Sequence, residues 1–448
     1  MLNVAANDRY RYCDGLTRRS FLQAGLLGAA GLALPDFLRL KAQAAPTGPS
    51  ARDTAVILIW LDGGPTHMDS YDVKTEAPAE YRGAMKVCQT SVPGIRICDL
   101  MPRQARVMDR LAIVRSLHHT TGDHFAGAHW MLTGYHGSTA ANMDPMYPSA
   151  GSVTARVRGA NRPGLPAYVA VPIAASVGLV PGYNSAAYLG AAYNPFQTGG
   201  DPNQPNFSVR NLTLPGGVTM EQLEDRRQLL QTFDTLRRDI DRSGALDSMD
   251  RFQREAYELI SGPAAREAFA IGKEDPRLRD RYGRHNWAQS CLLARRLVEA
   301  GVTFVTVHMG GWDHHAAIEP AMKNLLPIVD RAVASLVEDL SERGLYDKVA
   351  ICMCGEFGRT PRVNKDAGRD HWGQSGFVLL GGGGLKGGQV VGSTTEKGEY
   401  PKDRPVTPED MLATLYHVLG IDTKQVFLDK VGRPHPILSK GEPIAELV

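Results

Sequence analysis

The sequence from residue 55 to residue 65 reads Ala55-Val56-Ile57-Leu58-Ile59-Trp60-Leu61-Asp62-Gly63-Gly64-Pro65. Seven consecutive apolar residues predict a strand that is buried on both faces, as in a parallel sheet covered by helices. The Asp-Gly-Gly-Pro sequence that follows predicts a turn. The stretch therefore places one acidic side chain, Asp62, directly at the end of a buried strand.

Strand and helix patterns alternate in the rest of the chain. Short apolar runs predict strands at 111–117, 302–307, 349–354 and 377–380, and amphipathic runs predict helices at 289–300 and 325–343. The alternation between residues 285 and 382 predicts a mainly parallel sheet covered on both faces, so the expected fold class is an α/β three-layer sandwich. A late helix is predicted from the cap Thr407-Pro408-Glu409-Asp410 to about Gly420.

Three acidic residues follow predicted strands: Asp62, Asp313 and Glu356. In open α/β sheets, ligands bind beyond the carboxyl ends of the strands, so these residues are expected to meet at one edge. Histidines cluster near them, at positions 118, 119, 124, 129 and 136, at 308, 314 and 315, and at 371. Carboxylates and imidazoles are the ligands of divalent zinc, manganese and iron. The pattern favours a metal site over isolated structural histidines.

The N-terminal residues predict an export signal. Thr17-Arg18-Arg19-Ser20-Phe21-Leu22-Gln23 matches the twin-arginine pattern, an apolar run follows from Ala24 to Leu34, and Ala42-Gln43-Ala44 offers a cleavage site. We expect a signal peptide over residues 1–44, a mature domain over 45–448, and a periplasmic or extracellular protein that uses the twin-arginine export machinery. The apolar run is too short for a permanent membrane span.

The middle of the chain differs in composition. Residues 135–215 are rich in Gly, Pro, Asn and Tyr and predict a long excursion or lid over the edge of the sheet. Charged helical patterns predict a surface pair at Met220–Arg242 and Leu246–Ile260. Residues 135–280 are therefore expected to form a lid or helical insertion.

Bulk composition excludes some classes of partner. The 448 residues are 43% hydrophobic and 22% charged with a net charge of +2, which gives no reason to expect nucleic acid or a membrane surface as partner. The cysteines show no CxxC pattern. Cys88 and Cys98 flank a predicted turn at Pro93-Gly94, and both a disulfide and two free thiols remain open.

Several motifs resemble known families. Residues 56–64 are similar to the first strand of the alkaline phosphatase-like superfamily, and residues 124–134 have the length of the sulfatase signature. The segments 63–69, 311–315, 356–361 and 368–372 resemble the family called domain of unknown function 1501, within that superfamily. The resemblance spans roughly residues 50–425 and implies an alkaline phosphatase-like sandwich with a mainly parallel central sheet.

The resemblance also implies two adjacent divalent ions, whether zinc, manganese, calcium or magnesium. Asp62 and Glu356 would hold one ion, and Asp313, His315 and His371 would hold the other.

The chain departs from the superfamily pattern near these ligands. The histidine expected four residues after Asp313 is Ala317 here, so His315 or His314 must replace it. His67 and Asp69 are alternative candidates for the ligand position of Asp62, or they support Asp62 in it.

A larger departure lies at the nucleophile. Where sulfatases have Cys or Ser and phosphatases have Ser or Thr, this chain has His124. Three interpretations remain: a metal ligand beside an activated water, a nucleophile or general acid, or a scaffold that has lost catalysis. Arg359 is expected either to clamp an oxyanion or to form a structural salt bridge with Asp370 or another carboxylate.

Together these features predict an exported, metal-dependent hydrolase of a phosphate or sulfate ester, with a small-molecule or polysaccharide ester as substrate. The alternatives are an exported metal-binding scaffold or assembly protein without catalysis, and a lyase or isomerase on the same fold.

Overall fold

The computed structural model describes residues 53–209, 212, 225 and 262–448. The predicted signal peptide at 1–44 lies outside these residues, as do the two predicted surface helices at Met220–Arg242 and Leu246–Ile260 except for residue 225.

The strands of the described residues build one large sheet and four small ribbons. In chain order they are β1 (Ala55–Asp62), β2 (Val87–Gln89), β3 (Arg96–Cys98), β4 (Leu111–Leu117), β5 (Tyr168–Val171), β6 (Phe196–Gln197), β7 (Phe304–Gly310), β8 (Val349–Cys354), β9 (Gly358–Arg359), β10 (His371–Trp372), β11 (Gly376–Gly381), β12 (Gln389–Val391), β13 (Ser393–Thr394), β14 (Pro401–Asp403), β15 (Val426–Leu428) and β16 (Pro434–Pro436).

The helices, again in chain order, are α1 (Ala79–Arg82), α2 (Pro102–Arg106), α3 (His124–Thr133), α4 (Ala150–Val157), α5 (Pro263–Phe269), α6 (Pro276–Tyr282), α7 (Asn286–Ala300), α8 (Ile318–Glu342) and α9 (Pro408–Leu419). None of the helices in the described parts of the chain combines the length and the apolar composition that crossing a bilayer demands.

The large sheet has the strand order β12-β4-β11-β8-β1-β7-β5-β6. β1 pairs in parallel with β7 and with β8, and only β11 runs against its neighbours. The carboxyl ends of β1, β4, β7 and β8 therefore lie at the same edge of the sheet. The predicted α/β class with a mainly parallel central sheet is confirmed.

The sheet separates two hydrophobic cores. Because successive side chains of a strand point to opposite faces, Ile57 and Ile59 pack in one core with α7 and α8, whereas Leu58 and Trp60 pack in the other with α3, α4 and α9. Both faces of β1 are thus covered by helices, which explains why its sequence is apolar without alternation.

The expected lid contains part of the sheet. Within the predicted insertion at 135–280, β5 is completely buried and pairs with β7 on one side and β6 on the other. These short pieces of the predicted excursion thus belong to the sheet itself, and the lid formed by the rest stays a prediction. The strand has only four residues between loops rich in Gly and Pro, so its apolar run was too short to mark it as a strand.

The late helix begins as its sequence predicts. The Thr407 hydroxyl accepts the backbone N–H of Asp410, and the Asp410 carboxylate accepts the backbone N–H of Thr407, which completes a capping box. The helix ends at Gly420, which adopts a left-handed conformation.

Cys88 and Cys98 are free thiols in the ribbon of β2 and β3. Cys88 lies opposite Ile97, and Cys98 lies opposite Val87. Since neighbours along a strand face opposite sides, the register points the two sulfur-bearing side chains away from each other. Burial raises the pKa of the Cys98 thiol to about 12, which leaves it unreactive at neutral pH.

Three buried histidines predict that the protein loses stability in acid. Burial lowers the pKa of His67, His119 and His129 to about 4, and each is at most 3% exposed. An unfolded chain protonates these rings below about pH 6.5, so their contribution to stability is complete above that pH and is lost as the pH falls towards 4. The shift corresponds to on the order of 3 kcal/mol for each ring.

Urea unfolding between pH 7.5 and 4.5 measures this loss. The variant His129→Gln should take up about one proton fewer than the natural chain on unfolding in this window. Equal proton uptake by the two proteins would contradict the assignment for His129.

Candidate metal centre

Glu356 is a fully buried carboxylate two residues after β8. Its two oxygens accept the backbone N–H of Gly63, at 2.9 and 3.1 Å. Burial raises the pKa of Glu356, and the nearby charge of Asp62 adds to this, whereas the hydrogen bond with His124 opposes it. Glu356 therefore joins the turn after β1 to the end of β8.

The turn itself requires glycine. Gly63 has φ +117°, and a Cβ atom there would lie 2.7 Å from the backbone nitrogen of Asp313. The backbone N–H of Trp312 also donates to the carbonyl of Asp62 at 3.1 Å. The loops after β1 and β7 thus touch through their backbones, and a side chain at residue 63 would separate them.

His124 is the first residue of α3. The carboxylate of Asp123 caps this helix by accepting the N–H of Ala126 at 2.9 Å. His124 Nδ1 lies 2.7 Å from Glu356 Oε1, and Nε2 lies 3.2 Å from Asp313 Oδ2. Burial lowers the pKa of His124, but the two carboxylates outweigh burial and raise it above its ordinary value.

Asp313 follows β7 by three residues and keeps 43% of its side chain exposed. Its Oδ1 lies 2.5 Å from Arg359 Nη2, 3.0 Å from His315 Nε2 and 3.1 Å from His371 Nε2. Burial alone would raise the pKa of Asp313, but Arg359 and the imidazoles hold it well below its usual range. Asp313 is therefore ionised throughout the physiological range.

Arg359 lies beneath Asp313 and has no exposed surface. Besides Asp313, it donates to the carbonyls of Gly64 at 2.7 Å, Arg369 at 3.1 Å and Trp312 at 3.3 Å, and to that of Gly63. The guanidinium thus fastens the loops of the site and is closed to solvent. The expected oxyanion clamp does not fit this burial; the geometry fits the structural alternative, with Asp313 rather than Asp370 as the partner.

His371 and His315 complete the group around Asp313. His371 Nδ1 lies 2.8 Å from the carbonyl oxygen of Gly122, which only accepts, so Nδ1 carries the proton and Nε2 presents a lone pair. His315 Nδ1 lies 2.7 Å from Asp370, which by the same reasoning leaves its Nε2 as an acceptor. The two Nε2 atoms are 3.0 Å apart.

This arrangement places acceptors against acceptors. With neutral rings, two lone pairs and a carboxylate oxygen converge within hydrogen-bond distances, and such a group repels itself unless a proton or a metal ion lies among them. Burial, together with the positive charge of Arg359, lowers the pKa of His371, which favours the neutral ring that a metal needs.

A divalent ion fits this donor set. Ligand atoms of His124, Asp313 and His371 all lie within 4.8 Å of one another. A tetrahedral shell with metal–ligand distances of about 2.0–2.1 Å has edges of roughly 3.3 Å. Asp313 lies 3.2 Å from His124 through Oδ2 and 3.1 Å from His371 through Oδ1. We call His124, Asp313, His315 and His371 the candidate centre.

Each imidazole of the candidate centre has a partner on its other nitrogen. His124 is hydrogen-bonded to Glu356, His315 to Asp370, and His371 to the carbonyl of Gly122. Such partners fix the orientation and tautomer of metal-binding histidines. Asp370 is itself held by Asn364, whose side-chain nitrogen lies 3.2 Å from Asp370 Oδ1.

Asp62 has a different set of partners. Its Oδ2 lies 3.1 Å from His308 Nε2, and its Oδ1 accepts the N–H of Val177 at 2.8 Å. Burial would raise the pKa of Asp62, but these hydrogen bonds outweigh it and lower the pKa. Among the described residues, Asp62 and Glu356 do not form a group with a third metal-binding side chain. The second ion expected there stays a prediction.

The rivals named from the sequence lie in other environments. Asp69 is buried in an ion pair with Arg369 at 2.7 Å, and His67 is buried beside Ser375, 3.0 Å from its hydroxyl. His315 rather than His314 contacts Asp313 and His371. The imidazole beside Asp313 therefore belongs to His315, two residues after Asp313, and not to the position four residues after it, which is Ala317.

Some residues of the site were missed by sequence reasoning. His308 and Asp370 were noted, but their pairing with Asp62 and His315 was not. Gly122 and Val177 act through their backbones, and the sequence carries no signal for such contacts.

Comparisons with known proteins give a family but little about chemistry. A family model described as "Protein of unknown function (DUF1501)" matches residues 53–448. No curated protein sequence matches the chain.

Solved structures show a distant likeness. A sulfatase from a Pseudoalteromonas species is 12% identical with a TM-score of 0.37, over 89% of this chain and 72% of that one. A phosphonate monoester hydrolase from Silicibacter pomeroyi is 11% identical with a TM-score of 0.34, over 88% and 76%. A lipoteichoic acid synthase from Listeria monocytogenes is 12% identical with a TM-score of 0.34, over 83% and 73%. The likeness is too distant to bear on the reaction of this chain.

Removing a donor of the candidate centre should abolish tight binding of a divalent cation. We expect Asp313→Ala and His371→Ala to weaken binding of Zn²⁺ or Mn²⁺ by more than about 100-fold, and Asp370→Asn to weaken it by about 10- to 100-fold because His315 loses its partner.

Isothermal titration of metal-free protein measures these affinities. His417→Ala removes an exposed imidazole on α9 and should leave them unchanged. If Asp313→Ala bound the cation as tightly as the natural chain, the candidate centre would not be the metal site.

Proposed function

The chain belongs to the DUF1501 family of proteins of unknown function, and on that premise we propose that it is an exported metal-dependent hydrolase of a phosphate or sulfate ester. One observation carries the proposal: His124, Asp313 and His371 converge at the carboxyl edge of the sheet although they lie far apart in sequence. A polar, partly exposed group of this kind at a strand edge is where α/β proteins bind and transform ligands.

A divalent ion bound by these residues would polarise an ester oxygen and lower the pKa of a water molecule. The protein supplies the rest. Asp313 stays ionised because Arg359 holds its pKa low, and three imidazoles add donors without adding negative charge. The expected number of ions is two, and the described donors account for one.

Water, rather than His124, is the proposed nucleophile. Both nitrogens of the His124 ring are engaged, Nδ1 by Glu356 at 2.7 Å and Nε2 towards Asp313 at 3.2 Å. A covalent attack by either nitrogen would require it to leave a carboxylate. His124 is thus better suited to hold a cation than to attack the substrate.

The N terminus of α3 favours an anionic substrate. His124 is its first residue, so the positive end of the helix dipole lies at the candidate centre. Anions such as phosphate and sulfate bind readily at such positions. This supports an ester of an oxyanion, in a small molecule or a polysaccharide, over a neutral substrate.

One observation favours a second candidate, a metal-binding scaffold without catalysis. The position that carries the nucleophile in the resembling families is occupied by His124, whose ring points towards other ligands. A chain that binds metal but turns over no ester would have this role.

Turnover separates the two candidates. Protein loaded with Zn²⁺ or Mn²⁺ should hydrolyse at least one of three probes: an aryl phosphate, an aryl phosphodiester or an aryl sulfate. Asp313→Ala should lower kcat/KM by at least about 100-fold, and His417→Ala should not. Full metal occupancy without turnover of any probe would favour the scaffold.

Export through the twin-arginine route is proposed from residues 17–23. Substituting both Arg18 and Arg19 by Lys should leave the full-length chain in the cytoplasm, because this pathway recognises the arginine pair. Immunoblots of periplasmic and cytoplasmic fractions measure the outcome. Arg9→Lys, outside the motif, is the control, and undiminished export of the double variant would exclude the route.

A further inference from the structure

The hairpin of β15 and β16 exposes an apolar face. Val426 lies opposite Pro436, and Leu428 lies opposite Pro434. Residues directly opposite in an antiparallel pair share a face, so these four side chains lie together. Val426 is 50% exposed, Leu428 is 63% exposed, and Val431 in the connecting turn is 73% exposed.

The other face of the hairpin is anchored. Phe427 packs against the core that contains α9, and its cross-strand partner His435 contacts Tyr147 and Tyr188 at ring distances of 5.4 and 5.9 Å. Since the inner face is packed in this way, the alternation of the strands directs Val426 and Leu428 outwards.

Apolar exposure is concentrated around this hairpin. Tyr188 and Tyr147, which contact His435, belong to two neighbouring loops, and Tyr183 links those loops by donating to the carbonyl of Met143 at 3.0 Å. Six of the seven large hydrophobic residues that are exposed in the described parts of the chain lie on the hairpin or these loops: Met143, Met146, Val180, Val426, Leu428 and Val431. The three on the hairpin are among the most exposed of these, and exposed apolar side chains that lie together mark an interaction surface.

Basic side chains border the apolar face. Lys424, Lys430 and Arg433 are exposed. The carboxylate of Asp429 is turned to the hairpin itself, where it accepts the N–H groups of Val431 and Arg433, each at 2.9 Å. Between residues 422 and 436 the three basic side chains outnumber the two carboxylates, Asp422 and Asp429, by one, an excess that the small net charge of the whole chain does not reveal.

Two kinds of occupant fit poorly. Pro434 and Pro436 have no backbone N–H, so β16 is a poor template for an added strand. A second copy of the chain in a two-fold contact would bring the same basic side chains against each other. An anionic lipid surface meets both features, because apolar side chains enter the interface while lysine and arginine attract the headgroups.

We propose that this hairpin docks the protein on an anionic membrane surface. Val426, Leu428 and Val431 enter the interfacial layer, and Lys424, Lys430 and Arg433 contact the headgroups. The attachment is peripheral and separate from the candidate centre, so it does not depend on the proposed reaction.

Vesicle sedimentation tests the proposal. The full, metal-loaded chain should sediment with vesicles of phosphatidylcholine and phosphatidylglycerol in equal amounts, and less with phosphatidylcholine alone or at high salt. The double variants Leu428→Ser/Val431→Ser and Lys430→Glu/Arg433→Glu should each lower the vesicle partition coefficient by roughly tenfold or more.

Matched controls lie elsewhere on the surface. Tyr400→Ser changes an exposed aromatic residue, 48% exposed and outside the hairpin, and Lys365→Glu reverses an exposed charge near the candidate centre. Both should sediment as the natural chain does. The charge-reversal pair replaces exposed side chains only, so it remains informative if the apolar pair lowers stability.

Three outcomes would overturn the proposal. One is that the protein binds neutral and anionic vesicles equally, or binds neither. Another is unchanged binding of both double variants. The third is a concentration-dependent dimer in sedimentation velocity that Leu428→Ser/Val431→Ser disrupts, which would assign the face to a second copy of the chain.

Discussion

The site depends on a carboxylate that has no contact with solvent. Glu356 binds the backbone N–H of Gly63 and the imidazole of His124 at the same time. A buried charge is costly unless it is fully hydrogen-bonded, so these partners are constrained to stay in place. Because Gly63 follows β1 and His124 begins α3, one side chain holds together three segments that are distant in sequence. The positively charged Arg359 has a similar role, since it joins the same turn to Asp313.

This constraint determines the electrostatics of the candidate centre. Asp313 is ionised and forms an ion pair with Arg359 on one side, while the imidazoles of His315 and His371 approach from the other. The carboxylates of Glu356 and Asp370 hydrogen-bond His124 and His315, which orients the rings. The buried ion pairs thus organise a partly exposed group that suits a cation, and the N terminus of α3 adds a preference for an anionic ligand.

Strong periodic signals made most of the fold predictable from the sequence. The apolar run at 55–61, the capping box at Thr407 and the alternation after residue 285 each reflect local physics, and the structure confirms them. β5 was not predicted, because a run of four residues is too short to show a periodic pattern of apolar side chains. In the site, Asp313, His315, His371 and His124 were recognisable as residue types that bind metals near strand ends. Their partners were not, because whether Asp62 faces His308 and whether Arg359 is buried depend on packing between segments hundreds of residues apart. The net charge likewise gave no sign of the basic, apolar hairpin, because a sum over the chain removes the local pattern.

The central claim is that one divalent cation lies among the side chains that converge at the carboxyl edge of the sheet. Anomalous diffraction from crystals of the Zn²⁺- or Mn²⁺-loaded protein tests it most directly. We expect a peak within about 2.0–2.3 Å of Asp313 and of the Nε2 atoms of His124 and His371. A fully loaded crystal with its peak elsewhere, or with His124 and His371 remote from it, would contradict the account.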